Sequence, residues 1–185
     1  MKFTRRIFSI FAVLALAACT QQAALVDQNV KSSIYIKSIV INAQTLQKPI
    51  TGRDLVKTRK QIGADVKAAV TRSVQARGLN GPSPATLHIA LTKVQLVSPG
   101  QSWAIGGKGF IEGVVSVKSA SGKDLIAPQT IKGFSEDVRL GGLIGALTAP
   151  TAELDYAQTV QGFANGAVRK IFEGGLVTIS GDIVN

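Results

Sequence analysis

Residues 85–97 read ATLHIALTKVQLV, and this stretch decides how the rest of the chain can be arranged. Its first half alternates apolar with more polar residues, as a strand with one buried face does. The apolar positions there are Leu87, Ile89 and Leu91. Beyond them, Val94 and Leu96 continue the alternation on the opposite parity. This change of phase near Thr92 and Lys93 predicts one long strand interrupted by a β-bulge.

Further strands are predicted on both sides of this one. They are residues 33–42 (SIYIKSIVIN), 110–120 (FIEGVVSVKSA) and 123–138 (KDLIAPQTIKGFSEDV). Ser121 and Gly122 predict a tight turn between the last two. Because proline cannot donate a ladder hydrogen bond, Pro128 indicates an edge strand or an interrupted one. Residues 176–180 (LVTIS) are consistent with a short final strand.

A first amphipathic helix is predicted over residues 53–77. Its apolar stripe consists of Leu55, Ile62, Val66, Ala69, Val70 and Val74. Thr51 and Asp54 resemble a capping box at its start, and Gly78 offers a left-handed stop at its end. This segment contains seven cations and two acids, so it carries much of the chain's excess positive charge.

A second helix is predicted from about residue 150 to residue 172. Its stripe consists of Ala157, Val160, Ala164, Ala167, Val168 and Ile171. Gly162 and Gly166 are spaced as in helices that approach a neighbour closely, and packing of the helix on a sheet explains them better than packing in a membrane.

The predicted order of elements is therefore β-α-β-β-β-α. We expect an α+β fold in which a mainly antiparallel sheet of about four strands carries two amphipathic helices on one face. Residues 33–185 form a single domain in this interpretation, with no internal repeat.

The amino end has the three parts of an export signal. A basic start is followed by an apolar run over residues 7–18 and then by Cys19, the only cysteine. The run is shorter than the roughly 20 residues that span a bilayer, so no permanent transmembrane helix is predicted. Residues 1–18 are interpreted as a signal peptide, and residues 19–32 as a tether with no sustained periodicity.

Leu16, Ala17, Ala18 and Cys19 resemble the lipobox of bacterial lipoproteins. The resemblance implies cleavage between Ala18 and Cys19, addition of a diacylglycerol to the Cys19 thiol and acylation, as with palmitate, of the new amino group. It implies a firm membrane anchor, because more than one acyl chain is attached. Thr20 in place of aspartate favours the outer membrane over the inner, with the domain facing the periplasm.

The route of export stays open at this point. Residues 4–8 (TRRIF) also resemble a twin-arginine signal, although an ordinary basic start is the commoner explanation of such residues.

The charge of the mature chain restricts its partners. The formal net charge is +10, and removal of Lys2, Arg5 and Arg6 with the signal leaves +7. An exported, anchored chain has little access to nucleic acid, so we expect none as a partner. Anionic lipid, lipopolysaccharide phosphates or an acidic envelope protein are the expected counterparts.

Two surfaces are candidate contact sites. The first is the basic helix, represented by Lys57, Lys60 and Lys67. The second is the glycine-rich apolar loop over residues 139–151, with Leu140, Leu143 and Ile144, because exposed apolar patches often mark interaction sites. The loop could instead cover the end of the core.

No credible catalytic or metal centre is apparent. His88 alternates with core positions of a strand, and its neighbours do not form a set of metal ligands. Residues 100–104 (GQSWA) resemble a nucleophile elbow only faintly, and residues 106–109 (GGKG) lack the other positions of a P-loop. We expect no cofactor, no metal and no enzymatic activity.

The plan of the mature chain is similar to that of small YajG-like outer-membrane lipoproteins of unassigned function. The resemblance covers most of residues 33–173 and is carried by the two helices, the strand over 85–97, the segment VQARGL and the hairpin segment VVSVKSASGKDL. The expected function is that of a non-enzymatic accessory or scaffold protein of the envelope. A periplasmic lipid- or glycolipid-binding module that assists a transport system is the alternative, and it requires an apolar cavity between helices and sheet.

Overall fold

The alternating stretch over residues 85–97 supplies the second strand of a four-stranded sheet. The computed structural model describes residues 28–46, 57–104, 106–135, 141–142, 147 and 150–173. The elements are α1 (Gln28–Ser33), β1 (Ile34–Asn42), α2 (Arg59–Gln75), β2 (Ser83–Gln95), α3 (Pro99–Ala104), β3 (Phe110–Ser119), β4 (Asp124–Phe134) and α4 (Ala152–Phe172).

The strands lie side by side in chain order, β1-β2-β3-β4. β1 and β2 are parallel because α2 carries the chain back between them, whereas the short connections after β2 and β3 make the other two pairs antiparallel. The α+β prediction with about four strands is confirmed, and the sheet is mixed through this one parallel pair.

The predicted bulge in β2 is present at the predicted position. Leu91 pairs with Gly113 and Lys93 pairs with Glu112, so Thr92 is the extra residue. The Thr92 hydroxyl donates to the carbonyl oxygen of Glu112 at 3.1 Å. Because of the bulge, the strand keeps its apolar residues on the core side before and after the phase change.

Both long helices pack on one face of the sheet. The helices contribute a buried stripe each, and the strands contribute alternate residues. The fully buried side chains of greatest volume include Phe163, Phe172, Ile62, Leu87 and Ile89. On the opposite face of β2 the residues Thr86, His88 and Ala90 are only partly buried.

The start of α2 differs from the prediction. The helix begins at Arg59, and the capping box consists of Thr58 and Gln61. The backbone N–H of Gln61 donates to the Thr58 hydroxyl at 3.3 Å, and the backbone N–H of Thr58 donates to Oε1 of the Gln61 side chain at 2.8 Å. The observed cap lies seven residues after the predicted one at Thr51 and Asp54, which are outside the described ranges. The predicted left-handed stop at Gly78 is confirmed, with a φ of +60°.

Part of the stretch interpreted as a tether is helical. α1 occupies Gln28–Ser33, and Val30 packs against the core. The proposed final strand over 176–180 lies outside the described residues, as do most positions of the apolar loop. No helix in the described part of the chain is long and apolar enough to cross a membrane.

Gly162 is the first of the two glycines predicted to allow close helix packing, and the close approach of α4 to β4 explains it. A Cβ placed on Gly162 would collide with the carbonyl oxygen of Phe134, and one on Gly133 would lie 2.5 Å from the Cα of Phe163. A Cβ on Gly166 would meet only the Cα of Gly133, at 3.9 Å, among the described residues. Only Gly162 is therefore required by packing of the helix on the sheet.

The two glycines predict opposite effects of the same substitution. Gly162→Ala should lower the free energy of unfolding by about 1–3 kcal/mol, because β4 or α4 must move to make room. Gly166→Ala should raise it by about 0.5–1 kcal/mol, since alanine loses less backbone entropy in a helix. Chemical denaturation of the two variants measures both changes. A loss of stability of equal size in both would contradict the packing described here.

Candidate functional site

The predicted lipidation and cleavage residues lie outside the described ranges. Ala18 and Cys19 belong to residues 1–27, of which no structure is described. The lipid anchor therefore stays a prediction from the sequence.

The three lysines of the predicted basic surface do not form one group. Lys60 and Lys67 are exposed, and because they are seven residues apart they lie on the same side of α2. Lys57 precedes the helix, and its Nζ lies 2.9 Å from Oδ2 of Asp65. The same ammonium lies 5.1 Å from the ring centre of Tyr156. Lys57 thus supports contacts inside the domain.

Lys57, Asp65 and Tyr156 link α2 to α4. The Tyr156 hydroxyl donates to Oδ2 of Asp65 at 3.0 Å. Burial, and then the hydrogen bond to Asp65 and its negative charge, raise the pKa of Tyr156 well above its ordinary value. The phenol therefore keeps its proton and remains a donor. This arrangement joins two helices.

The apolar loop is described only in part. Leu140, Leu143 and Ile144, the residues predicted as a contact surface, lie outside the described ranges. Leu147 of the same loop is described and is 78% exposed.

The other residues considered for chemistry are not brought together. His88 is half-buried on the face of β2 away from the helices, and Ser102 belongs to the short helix α3. Within the described ranges, no three histidine, cysteine, aspartate or glutamate side chains are grouped so that they could hold a metal ion.

The most distinctive feature of the described surface is a cleft between the end of α2, the end of β4 and the second half of α4. Its volume is about 590 Å³, within the range of about 300–1,000 Å³ typical of ligand pockets. Four cations line it, each from a different part of the chain: Arg77, Lys108, Lys132 and Arg169. We call it the cationic cleft.

Two of these cations are held by neighbours. Nη1 of Arg77 lies 3.2 Å from Oε1 of Glu173, and Nζ of Lys132 lies 3.9 Å from the ring centre of Phe110. Among the described residues, Lys108 and Arg169 form no ion pair. Nε of Arg77 is buried and has no hydrogen-bond partner there. Within the described ranges, the pair with Glu173 is therefore the only ion pair that compensates the positive charge of the cleft.

Polar side chains at the cleft hold α2 and α4 together. The Ser73 hydroxyl donates to Oδ1 of Asn165 at 2.7 Å, and Nε2 of Gln161 donates to the same oxygen at 2.9 Å. Gln161 in turn accepts from Arg72 at 3.4 Å. These contacts fix the wall of the cleft on which Arg169 and Arg77 are carried.

Sequence reasoning missed the cationic cleft. Arg77 entered the count of basic residues of the first helix, and Lys108 was interpreted as part of a flexible loop. The glycines on both sides of Lys108 were the one pattern in the sequence that drew attention to this region. The spacing of the four cations along the chain gives no indication that they lie together in the fold.

Comparisons with known proteins do not assign the chain to a family. No protein-family model matches it, and no curated protein matches it significantly. Among solved structures, a protein of the DUF330 family from Xanthomonas campestris is 10% identical, with a TM-score of 0.41 over 83% of this chain and 84% of its own. A candidate lipoprotein from Caulobacter crescentus is 13% identical, with a TM-score of 0.32 over 78% of this chain and 88% of its own. At such low identity and TM-scores, neither protein indicates what this chain does.

The link through Tyr156 predicts a dependence of stability on pH. The folded state holds the Tyr156 proton at pH values where the unfolded chain, with an ordinary pKa of 10.0, loses it. The stabilisation is therefore complete below about pH 10 and is lost as the pH rises further. Tyr156→Phe should cost about 0.5–1.5 kcal/mol near pH 8 and reduce the decline in unfolding free energy above pH 10.

Urea unfolding at a series of alkaline pH values measures this difference. Tyr35→Phe, which changes the other tyrosine of the chain, is the matched control and should keep the wild-type slope. A steeper decline in Tyr156→Phe than in the wild type would contradict the role given to the phenol.

Proposed function

We propose that the protein is a non-enzymatic, lipid-anchored protein of the bacterial envelope that acts as an accessory or scaffold through contacts with proteins or anionic lipid. The basic start, the apolar run and the lipobox at Leu16–Cys19 support the anchor. Thr20 after the cysteine supports the outer membrane as its place, with the domain in the periplasm.

The short connection between Cys19 and the folded part is the observation that carries the proposal. α1 begins at Gln28, the ninth residue after Cys19, and its Val30 already packs against the core. Even when fully extended, such a segment reaches only about 30 Å. A domain anchored in this way works at the membrane surface and reaches only partners that are also there.

The exposed side of α2 is a suitable contact surface in this position. Lys60 and Lys67 project from one side of the helix and have no ion pair among the described residues. Lysines near an anionic surface each contribute about 1 kcal/mol of attraction.

The alternative, a lipid-binding module, requires an apolar cavity between helices and sheet. Large side chains fill that space, and Phe163 and Phe172 are completely buried there. The cationic cleft is not such a cavity, because cations and other polar residues line much of it. No observation in the described part of the chain favours the alternative.

Lipidation predicts that Cys19→Ser abolishes acylation. Cells grown with a palmitate analogue that carries an alkyne should label the wild-type protein, and the variant should stay unlabelled and keep its signal peptide. Because Cys19 is the only cysteine, no other thiol can replace it. A labelled, processed Cys19→Ser protein would overturn the anchor.

Sorting is tested separately by Thr20→Asp. If the residue after the cysteine directs the protein to the outer membrane, this variant should shift to the inner-membrane fraction on a sucrose gradient. Thr20→Ser is the control and should sediment with the wild type. An unchanged distribution of Thr20→Asp would contradict the proposed route while leaving lipidation intact.

If α2 and the apolar loop are contact surfaces, crosslinkers placed on them should capture the partners of the protein. A photo-crosslinking residue at Lys60 or Leu143, introduced in living cells, should trap a discrete envelope protein or lipid. The same residue at Val40, which is 46% exposed on β1, is the control. Equal capture from all three positions, or none from Lys60 and Leu143, would count against the scaffold role.

A further inference from the structure

We propose that the cationic cleft is a binding site for a phosphate ester, such as a phosphorylated headgroup or a small soluble phosphate. The inference rests on the cleft alone and does not depend on the lipid anchor. Its ligand would be held by Arg77, Lys108 and Arg169.

The balance of charge in the cleft selects an anion that carries more than one negative charge. Lys132 lies over the uncharged Phe110 ring and keeps its charge, and among the described residues Glu173 compensates only that of Arg77 in part, so the four cations hold an excess of more than one positive charge. A carboxylate supplies a single charge, whereas a phosphate monoester carries about −1.5 to −2 at neutral pH. The phosphate therefore matches the charge that remains.

Arg77 is only partly engaged by its described neighbours. Its Nη1 is used by Glu173, but its buried Nε has no partner among the described residues. A buried N–H without an acceptor is unfavourable, and guanidinium groups bind phosphate oxygens through two parallel hydrogen bonds. Arg77 lines the cleft, so the part of its guanidinium that Glu173 leaves free can donate to a ligand oxygen.

The shape of the cleft also fits a compact group. Gly133, Gly162 and Gly166 are among its lining residues, and at Gly166 the wall is open where another residue would carry a Cβ. The space in front of Gly166 is not needed for packing, because a Cβ there would lie 3.9 Å from its nearest described neighbour. A ligand can thus approach α4 closely between Lys108 and Arg169.

Arg169 and Lys108 are the residues whose replacement tests the site. Neither forms an ion pair among the described residues, so Arg169→Gln and Lys108→Gln should fold normally. Gly166→Leu fills the cleft without a change of charge. Lys60→Gln and Lys67→Gln remove exposed cations from the outer side of α2 and serve as matched controls for net charge.

The full-length protein in a nonionic detergent is titrated with inorganic phosphate, glycerol 3-phosphate, dihexanoyl phosphatidic acid and an oligoglutamate peptide. Calorimetry gives the affinities, and NMR of the backbone amides locates the binding. Phosphate probes should shift the amides of Ser135 and Gly166. Each of the two glutamine variants in the cleft should weaken binding by about tenfold or more, Gly166→Leu should abolish it, and both controls should bind as the wild type does.

Phosphatidic acid binding more tightly than glycerol 3-phosphate would support the site and identify a lipid as the source of the phosphate. Equal affinities would support a site that recognises the phosphate alone. Three results would overturn the proposal: no shift of the cleft amides with any phosphate probe, equal weakening in the Lys60→Gln control, or tighter binding of oligoglutamate than of every phosphate probe.

Discussion

The close approach of α4 to the edge strand is the constraint on which the rest of the structure depends. At Gly162 the helix touches the backbone of Phe134, and at Gly133 the strand leaves room for Phe163, which is completely buried. This contact fixes the distance between helix and sheet, and with it the depth of the core. It also places Arg169, two turns further along α4, beside the end of β4, where the cationic cleft lies.

Much of the fold could be predicted because its signals are local. Alternation in β2 revealed both the strand and the bulge at Thr92, and the apolar stripes revealed the two long helices. Where the prediction was wrong, a competing local pattern was present: Thr51 and Asp54 resemble a cap as well as Thr58 and Gln61 do. α1 was missed because its six residues are too few to show a period, and packing of Val30 on the core supports it.

The cationic cleft could not be predicted, for a different physical reason. Its cations come from the end of α2, a loop, β4 and α4, so only strand order and helix placement bring them together. Counting charges along the chain drew attention instead to the lysines of the first predicted helix, residues 53–77. The structure separates these lysines: Lys57 bridges to Asp65, and Lys60 and Lys67 face outward.

The brevity of the segment between Cys19 and α1 bears on how strongly any ligand must bind. The proposed lipid anchor would hold the domain within about 30 Å of a bilayer, where it would meet membrane components at an effective concentration that can reach the millimolar range. A site of weak intrinsic affinity is then substantially occupied in the cell, although it would be nearly empty in dilute solution.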